Sequence, residues 1–158
     1  TVFNESFATA VAMEGVRRWM LKRDNPAQYL RYLEGRSKQG QFIALIGRHR
    51  DRLAKLYESA ADTHEQHRQK TLQISLLRDD FAILQQQWGD DESYSNWMAA
   101  PINNAKLISV GLYFDLLPGF QQLLSSSDSN LEKFYTNCQA LAGLDYESRR
   151  APLATPVN

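Results

Sequence analysis

The chain has 158 residues, enough to bury about two thirds of its unfolded surface around a core of its own. Hydrophobic residues at 43% and charged residues at 23% match a globular protein and exclude a disordered one. Eighteen basic residues balance eighteen acidic ones, so no overall field draws the chain to nucleic acid or to an anionic membrane.

No apolar run reaches the roughly 18 residues of a membrane span. The single cysteine, Cys138, excludes an internal disulfide and a zinc ribbon. The opening residues Thr1 to Phe7 lack an initiator methionine, a basic stretch and a signal-like apolar segment, and read as a chain that begins mid-protein.

No strand-like alternation is sustained anywhere, and the expected fold class is all-α. A first helix is expected over about Asn4 to Arg23, from Phe7, Val11, Ala12, Val16, Trp19 and Met20 at helical spacing. Asp24-Asn25-Pro26 ends it, with Asn25 as cap and Pro26 as first residue of the next helix. That helix reads as interrupted near Gly35 to Gly40 and resumed along the stripe Phe42, Leu45, Ile46, His49, Leu53, Leu56 and Tyr57. A further helix, capped by Asp62 or Thr63, runs to Trp88 and stops at Gly89-Asp90-Asp91. The two long elements predict an antiparallel hairpin between about Pro26 and Trp88.

Shorter helices are expected over about Glu92 to Ala99, Ile102 to Leu116, Pro118 to Leu124 and Asn130 to Ala142, with Ser125 to Ser129 as a loop. Residues 1–150 read as one helical domain and 151–158 as a flexible tail. Trp19, Trp88 and Trp97 read as core anchors.

The first helix is apolar on nearly every face, which predicts burial. Glu5 then has two readings: a first-turn acid favoured by the helix dipole, or a buried carboxylate that needs a pair, hydrogen bonds or a metal. His49, on the apolar stripe, reads as an interface histidine with an ordinary hydrogen bond. The string His64-Glu65-Gln66-His67 puts its histidines three apart on a polar helix and reads as solvated.

Asn4-Glu5-Ser6-Phe7-Ala8 resembles the segment that supplies the third zinc ligand in gluzincin metallopeptidases. Over Phe3 to Trp19, and again at Pro101-Ile102-Asn103-Asn104-Ala105-Lys106-Leu107, Tyr113 and Pro118-Gly119-Phe120, the chain is similar to a bacterial family of predicted aminopeptidases. The resemblance implies the helical C-terminal lobe of a zincin-like enzyme. Glu5 would be the metal ligand, Asn4 would hold the neighbouring backbone or substrate, and Glu14 would either stand behind Glu5 or be a surface residue. Tyr113 and Asn104 are the candidates for stabilising the oxyanion on the attacked carbonyl. Each has a plainer alternative: Tyr113 as a core aromatic, and Asn103-Asn104 as a helix cap.

In such enzymes a His-Glu-x-x-His helix supplies two further ligands and the general base. None occurs in this sequence. The expectation is therefore a zinc cofactor in the full-length protein, with none held by this chain alone and no activity of its own. A peptide is the expected substrate, and a missing N-terminal part carrying the other ligands is the expected partner. The resemblance also implies a bacterial cell-envelope location through a lipoprotein-type signal in that part. The alternative function is a non-catalytic helical interaction module.

Overall fold

The computed structural model describes residues 1–23, 25–58, 62–89 and 91–154. Among them every regular element is helical: α1 Val2–Leu21, α2 Pro26–Glu58, α3 Thr63–Gln87, α4 Ser95–Ala99, α5 Asn104–Phe114, α6 Leu117–Ser126, α7 Leu131–Ala142, α8 Tyr146–Arg150 and a closing 3-10 turn, Ala151–Leu153. The fold class is all-α, a helical bundle. Where the sequence reads as one domain, the backbone gathers into two compact units, Thr1–Pro26 with the chain from Gly111 onward, and Ala27–Val110. Asp24 and Asp90, assigned above to helix stops, and residues 155–158 of the expected tail lie outside the described residues.

The unit that contains α1 is built on Phe120 of α6. Its fully buried ring meets Phe3 at 5.1 Å, Phe7 at 5.9 Å and Phe134 at 6.4 Å between centroids, in edge-to-face arrangements. Ala10, Leu116, Leu117, Leu124, Cys138 and Leu153 complete this core. The buried face of α1 is Phe3, Ser6, Ala10 and Glu14, a stripe at spacings of three and four.

This corrects the expectation of a helix buried all round, because Val16, Trp19 and Leu21 are 40%, 48% and 53% exposed. The extra apolar character of α1 comes largely from alanines, and Ala8 and Ala12 face water. Trp19 is no core anchor; the Arg23 guanidinium lies 4.0 Å above its ring. Trp88 and Trp97 do pack, half-buried, against the second core.

The tail also departs from expectation. Ala151–Leu153 forms a 3-10 turn and Leu153 is 1% exposed. Gly119 makes this possible: a Cβ at that position would stand 2.1 Å from the Leu153 carbonyl oxygen and 2.5 Å from its Cα. Only a residue without a side chain lets the two backbones approach so closely.

In the second unit α2 and α3 run antiparallel, as two contacts show. The Trp88 indole N–H donates to Gln41 Oε1 at 3.0 Å, and His49 Nε2 lies 2.9 Å from Asp80 Oδ2, so moving forward on α2 is moving back on α3. Their shared core takes Phe42, Leu45, Ile46, Leu53, Leu77 and Phe81, closed by Met98, Ile102 and Leu107. Asp62 caps α3 by accepting from the Glu65 N–H at 2.9 Å, and Gly89, at φ +72°, ends it in the left-handed region.

The predicted break at Gly35 to Gly40 is absent, and α2 is continuous. A glycine inside a helix costs about 1 kcal/mol against alanine, too little to break a helix held by packing. Lys38 bridges that stretch, 2.8 Å from Glu34 one turn back and 2.6 Å from Asp91.

By length and composition alone, Asn104–Ser126 is apolar enough to cross a membrane. It is two helices separated by Asp115 and Leu116. Its large apolar residues divide between the two cores, Leu107 in one and Leu116, Leu117, Phe120 and Leu124 in the other.

Two glycine substitutions should move stability in opposite directions in thermal melts followed by circular dichroism. Gly119→Ala should destabilise by about 1 to 3 kcal/mol, because Leu153 must be pushed off. Gly35→Ala, where a Cβ meets nothing within 4 Å, should stabilise by about 0.5 to 1 kcal/mol. A loss of stability from Gly35→Ala would contradict the continuous α2.

Candidate functional site

The motif carrying Glu5 forms the first two turns of α1. Thr1 caps the helix, its hydroxyl accepting from the Asn4 N–H at 3.2 Å, and the Glu5 N–H donates to the Thr1 carbonyl at 3.0 Å. Phe3 and Phe7 flank Glu5 in sequence and both pack on Phe120, so this turn is clamped from one side. Glu5 is half-buried and Asn4 is exposed. The Glu5 carbonyl accepts from the Thr9 hydroxyl at 2.8 Å, and among the described residues its carboxylate has no hydrogen-bond or ion-pair partner. Ser6 beside it is wholly buried, with an Oγ that no group among the described residues satisfies.

Glu14 is placed differently from the expectation. Nine residues after Glu5 on one helix, it stands about 13 Å further along the axis and on the opposite face. Its buried carboxylate receives Arg17 Nε at 2.6 Å, Arg17 Nη2 at 2.8 Å and Arg18 Nε at 2.7 Å. Arg18 reaches on to the Ser129 carbonyl. There Asp128 and Ser129 hold φ of 57° and 54°, unusual for residues other than glycine. Glu14 therefore secures the end of α1 to the turn before α7 instead of supporting Glu5. The Arg17 hydrogen bond, against the opposing cost of burial and with help from Arg18, lowers its pKa from 4.5 to about 2. The Glu14-x-x-Arg17-Arg18 spacing was a readable signal for this contact.

Tyr113, in the same unit as Glu5, is 42% exposed, with its ring 6.4 Å from Phe114. It is not the core aromatic of its plainer reading. Asn104 belongs to the other unit, where its side-chain amide lies 3.3 Å from the Tyr57 hydroxyl. The capping role falls to Asn103, whose Oδ1 accepts from the Lys106 N–H at 2.9 Å. Lys106 donates to the Trp97 carbonyl at 2.5 Å and sits 4.3 Å over the Trp97 ring, tying α5 to α4. Sequence reasoning missed both the Tyr57–Asn104 and Lys106–Trp97 contacts, for which spacing carries no signal.

His64 and His67 are exposed. Between them, Glu65 receives Arg68 at 2.7 and 2.8 Å and Gln69 at 2.7 Å; the Arg68 bond chiefly holds its carboxyl at about 2, well below the usual range. His49 is buried with its bond to Asp80, as an interface histidine. Among the described residues no three His, Cys, Asp or Glu side chains gather as a metal site would need.

The sequence model of the family described as "Putative aminopeptidase" matches residues 1–153. The chain belongs to this family. No curated protein and no solved structure gives a significant match. In this aminopeptidase-family chain, Pro118-Gly119-Phe120 has a structural meaning: Gly119 admits Leu153, and Phe120 carries the core under Glu5. Pro101 to Leu107 likewise builds the α4–α5 junction.

The depressed Glu14 pKa sets a pH dependence. Because the folded value lies below the unfolded one, its contribution is fully present above about pH 4.5 and is lost as pH falls toward 2. The stability gap between the wild type and Glu14→Gln should approach about 3 kcal/mol at pH 7 and shrink steadily below pH 4.5 in urea melts. A gap unchanged at pH 3 would count against the ion pair.

Proposed function

We propose that this chain provides Glu5 as a metal ligand of a zinc-dependent aminopeptidase of gluzincin type, the remaining ligands and the general base coming from a segment outside these residues. What supports the reading is one observation: in a chain of the aminopeptidase family, the half-buried Glu5 carboxylate, on a turn clamped by Phe3 and Phe7, has no partner among the described residues. A half-buried carboxylate without a partner among the described residues is suited to a cation. Zinc bound there would acidify a water and polarise a peptide carbonyl.

The chain's own residues take limited parts in this reading. Phe3, Phe7 and Phe120 orient the Glu5 turn, and Asn4 stands exposed beside it. The exposed hydroxyl of Tyr113 is the proposed donor to the oxyanion. Asn104, engaged with Tyr57, is the weaker candidate. On its own the chain should hold no stoichiometric zinc and cleave no peptide, since one carboxylate is too few ligands.

A second reading, a helical interaction module, draws on Leu30 and Leu33 of α2, which are 65% and 43% exposed. Metal content and turnover of the full gene product separate the two. Glu5→Gln should remove most bound zinc and most peptide hydrolysis while leaving the circular dichroism unchanged. Tyr113→Phe should keep the zinc and lower turnover about a hundredfold or more. Full zinc and full activity in Glu5→Gln would refute the metal reading.

A further inference from the structure

The unit that contains α1 has a recess of about 110 Å³ that none of the chemistry above uses. Val2 and Phe3 of α1 and Leu116, just before α6, form an apolar wall, and Arg149 and Arg150 line it from the end of α8. A cavity of about 150 Å³ takes a benzene-sized ligand, so this one suits a group of about four or five heavy atoms.

Arg149 is half-buried, and among the described residues its guanidinium has neither a hydrogen bond nor an ion pair. Rings hold it instead, with centroids 5.6 Å away at Phe3 and 5.9 Å away at Tyr146. Arg150 donates to the Tyr146 hydroxyl at 3.1 Å and has no carboxylate partner among the described residues. A guanidinium carries its N–H donors in a planar fork, and nearly all of that capacity stays open on both arginines. Partial burial without an acceptor costs a charged group free energy, which a bidentate oxyanion would offset. The helix itself gives little compensation, because α8 spans five residues and has a short dipole. Asp115 also lines the recess and is itself engaged, so two positive charges on the wall face one negative.

A small recess with an apolar wall and two guanidinium forks is complementary to one group, a carboxylate on a short methylene arm. We propose that this recess binds the acidic side chain, aspartate or glutamate, of a peptide. The methylenes lie against Val2, Phe3 and Leu116, and the carboxylate takes paired N–H bonds from Arg149 with Arg150 beside it. Val2 stands three residues before Glu5 and is its neighbour on the helix surface. A peptide held here therefore lies beside the Glu5 turn. That it is a substrate, with its acidic residue next to the cleaved bond, rests on the metal reading above; the binding does not.

The probe is N-acetyl-L-glutamate α-amide, whose only charge is the side-chain carboxylate, titrated into the whole chain and followed by amide NMR shifts. Saturable shifts should centre on Val2, Phe3, Leu116 and Arg149, with affinity on the order of millimolar. The uncharged isostere N-acetyl-glutamine amide should bind roughly tenfold more weakly, and Arg149→Gln should impose the same loss on the acid. Should that variant unfold, Arg150→Gln, at an exposed position, should weaken the acid in the same direction. Thr1 also lines the recess, so the titration is repeated with its amino group acetylated, and the affinity should hold within about twofold. Scattered or unsaturable shifts, equal binding of acid and isostere, no loss in either arginine variant, or a loss on acetylation would overturn the proposal. So would tighter binding of N-acetyl-L-alanine, which would make the ligand a chain terminus, or of inorganic phosphate. In the full gene product Arg149→Gln should lower kcat/KM roughly tenfold for a peptide with glutamate at the cleaved bond, with zinc content and the rate for an alanine peptide unchanged. The titration needs no metal, so its failure and a failure of the Glu5 reading are told apart.

Discussion

Everything near Glu5 depends on one contact, the fully buried ring of Phe120 held edge-on by Phe3 and Phe7. Those two rings stand on either side of Glu5 in the sequence, so burying them sets both the position and the rotation of the first turns of α1. Phe134 from α7 closes the cluster, and Gly119, next to Phe120, brings in the backbone of Leu153. Aromatic rings of this size supply a large share of a small unit's burial energy. The backbone of the Glu5 turn is thereby held in place.

The far end of α1 is secured by different means. Glu14, buried on the face opposite Glu5, gathers Arg17 and Arg18, and Arg18 extends to the Ser129 carbonyl in a turn with two left-handed residues. Apolar packing thus fixes one end of the helix and a charge network the other. Of the two acids on α1, Glu14 is thus engaged by arginines, while the Glu5 carboxylate has no partner among the described residues.

The second unit rests on the long α2–α3 hairpin, whose direction is pinned by Gln41 with Trp88 and by His49 with Asp80. Tertiary packing of the stripe Phe42 to Leu53 carries α2 through Gly35 and Gly40, where intrinsic propensity alone argues for a break. On the same helix Tyr57, one turn beyond Leu53, meets Asn104 of α5. Several segments that carry the resemblance prove to be joints of the fold: Pro101 to Leu107 organises α4 and α5, and Pro118 to Phe120 organises the core under α1.

The sequence by itself determined whatever a few neighbouring residues can encode. The cap Asp62, the stop at Gly89 and the stripe along α2 all act within a turn or two, so they were legible and the all-α class followed from them. Membership of the aminopeptidase family was legible as well, through ordered motifs spread over most of the chain. Only the tertiary structure decided which face of α1 is buried, that Glu14 serves the arginines, that Leu153 docks on Gly119, that Tyr57 meets Asn104, and that the chain forms two units. Burial and pairing of this kind depend on segments far apart in the chain, and local propensity and spacing contain no record of which distant backbone will arrive.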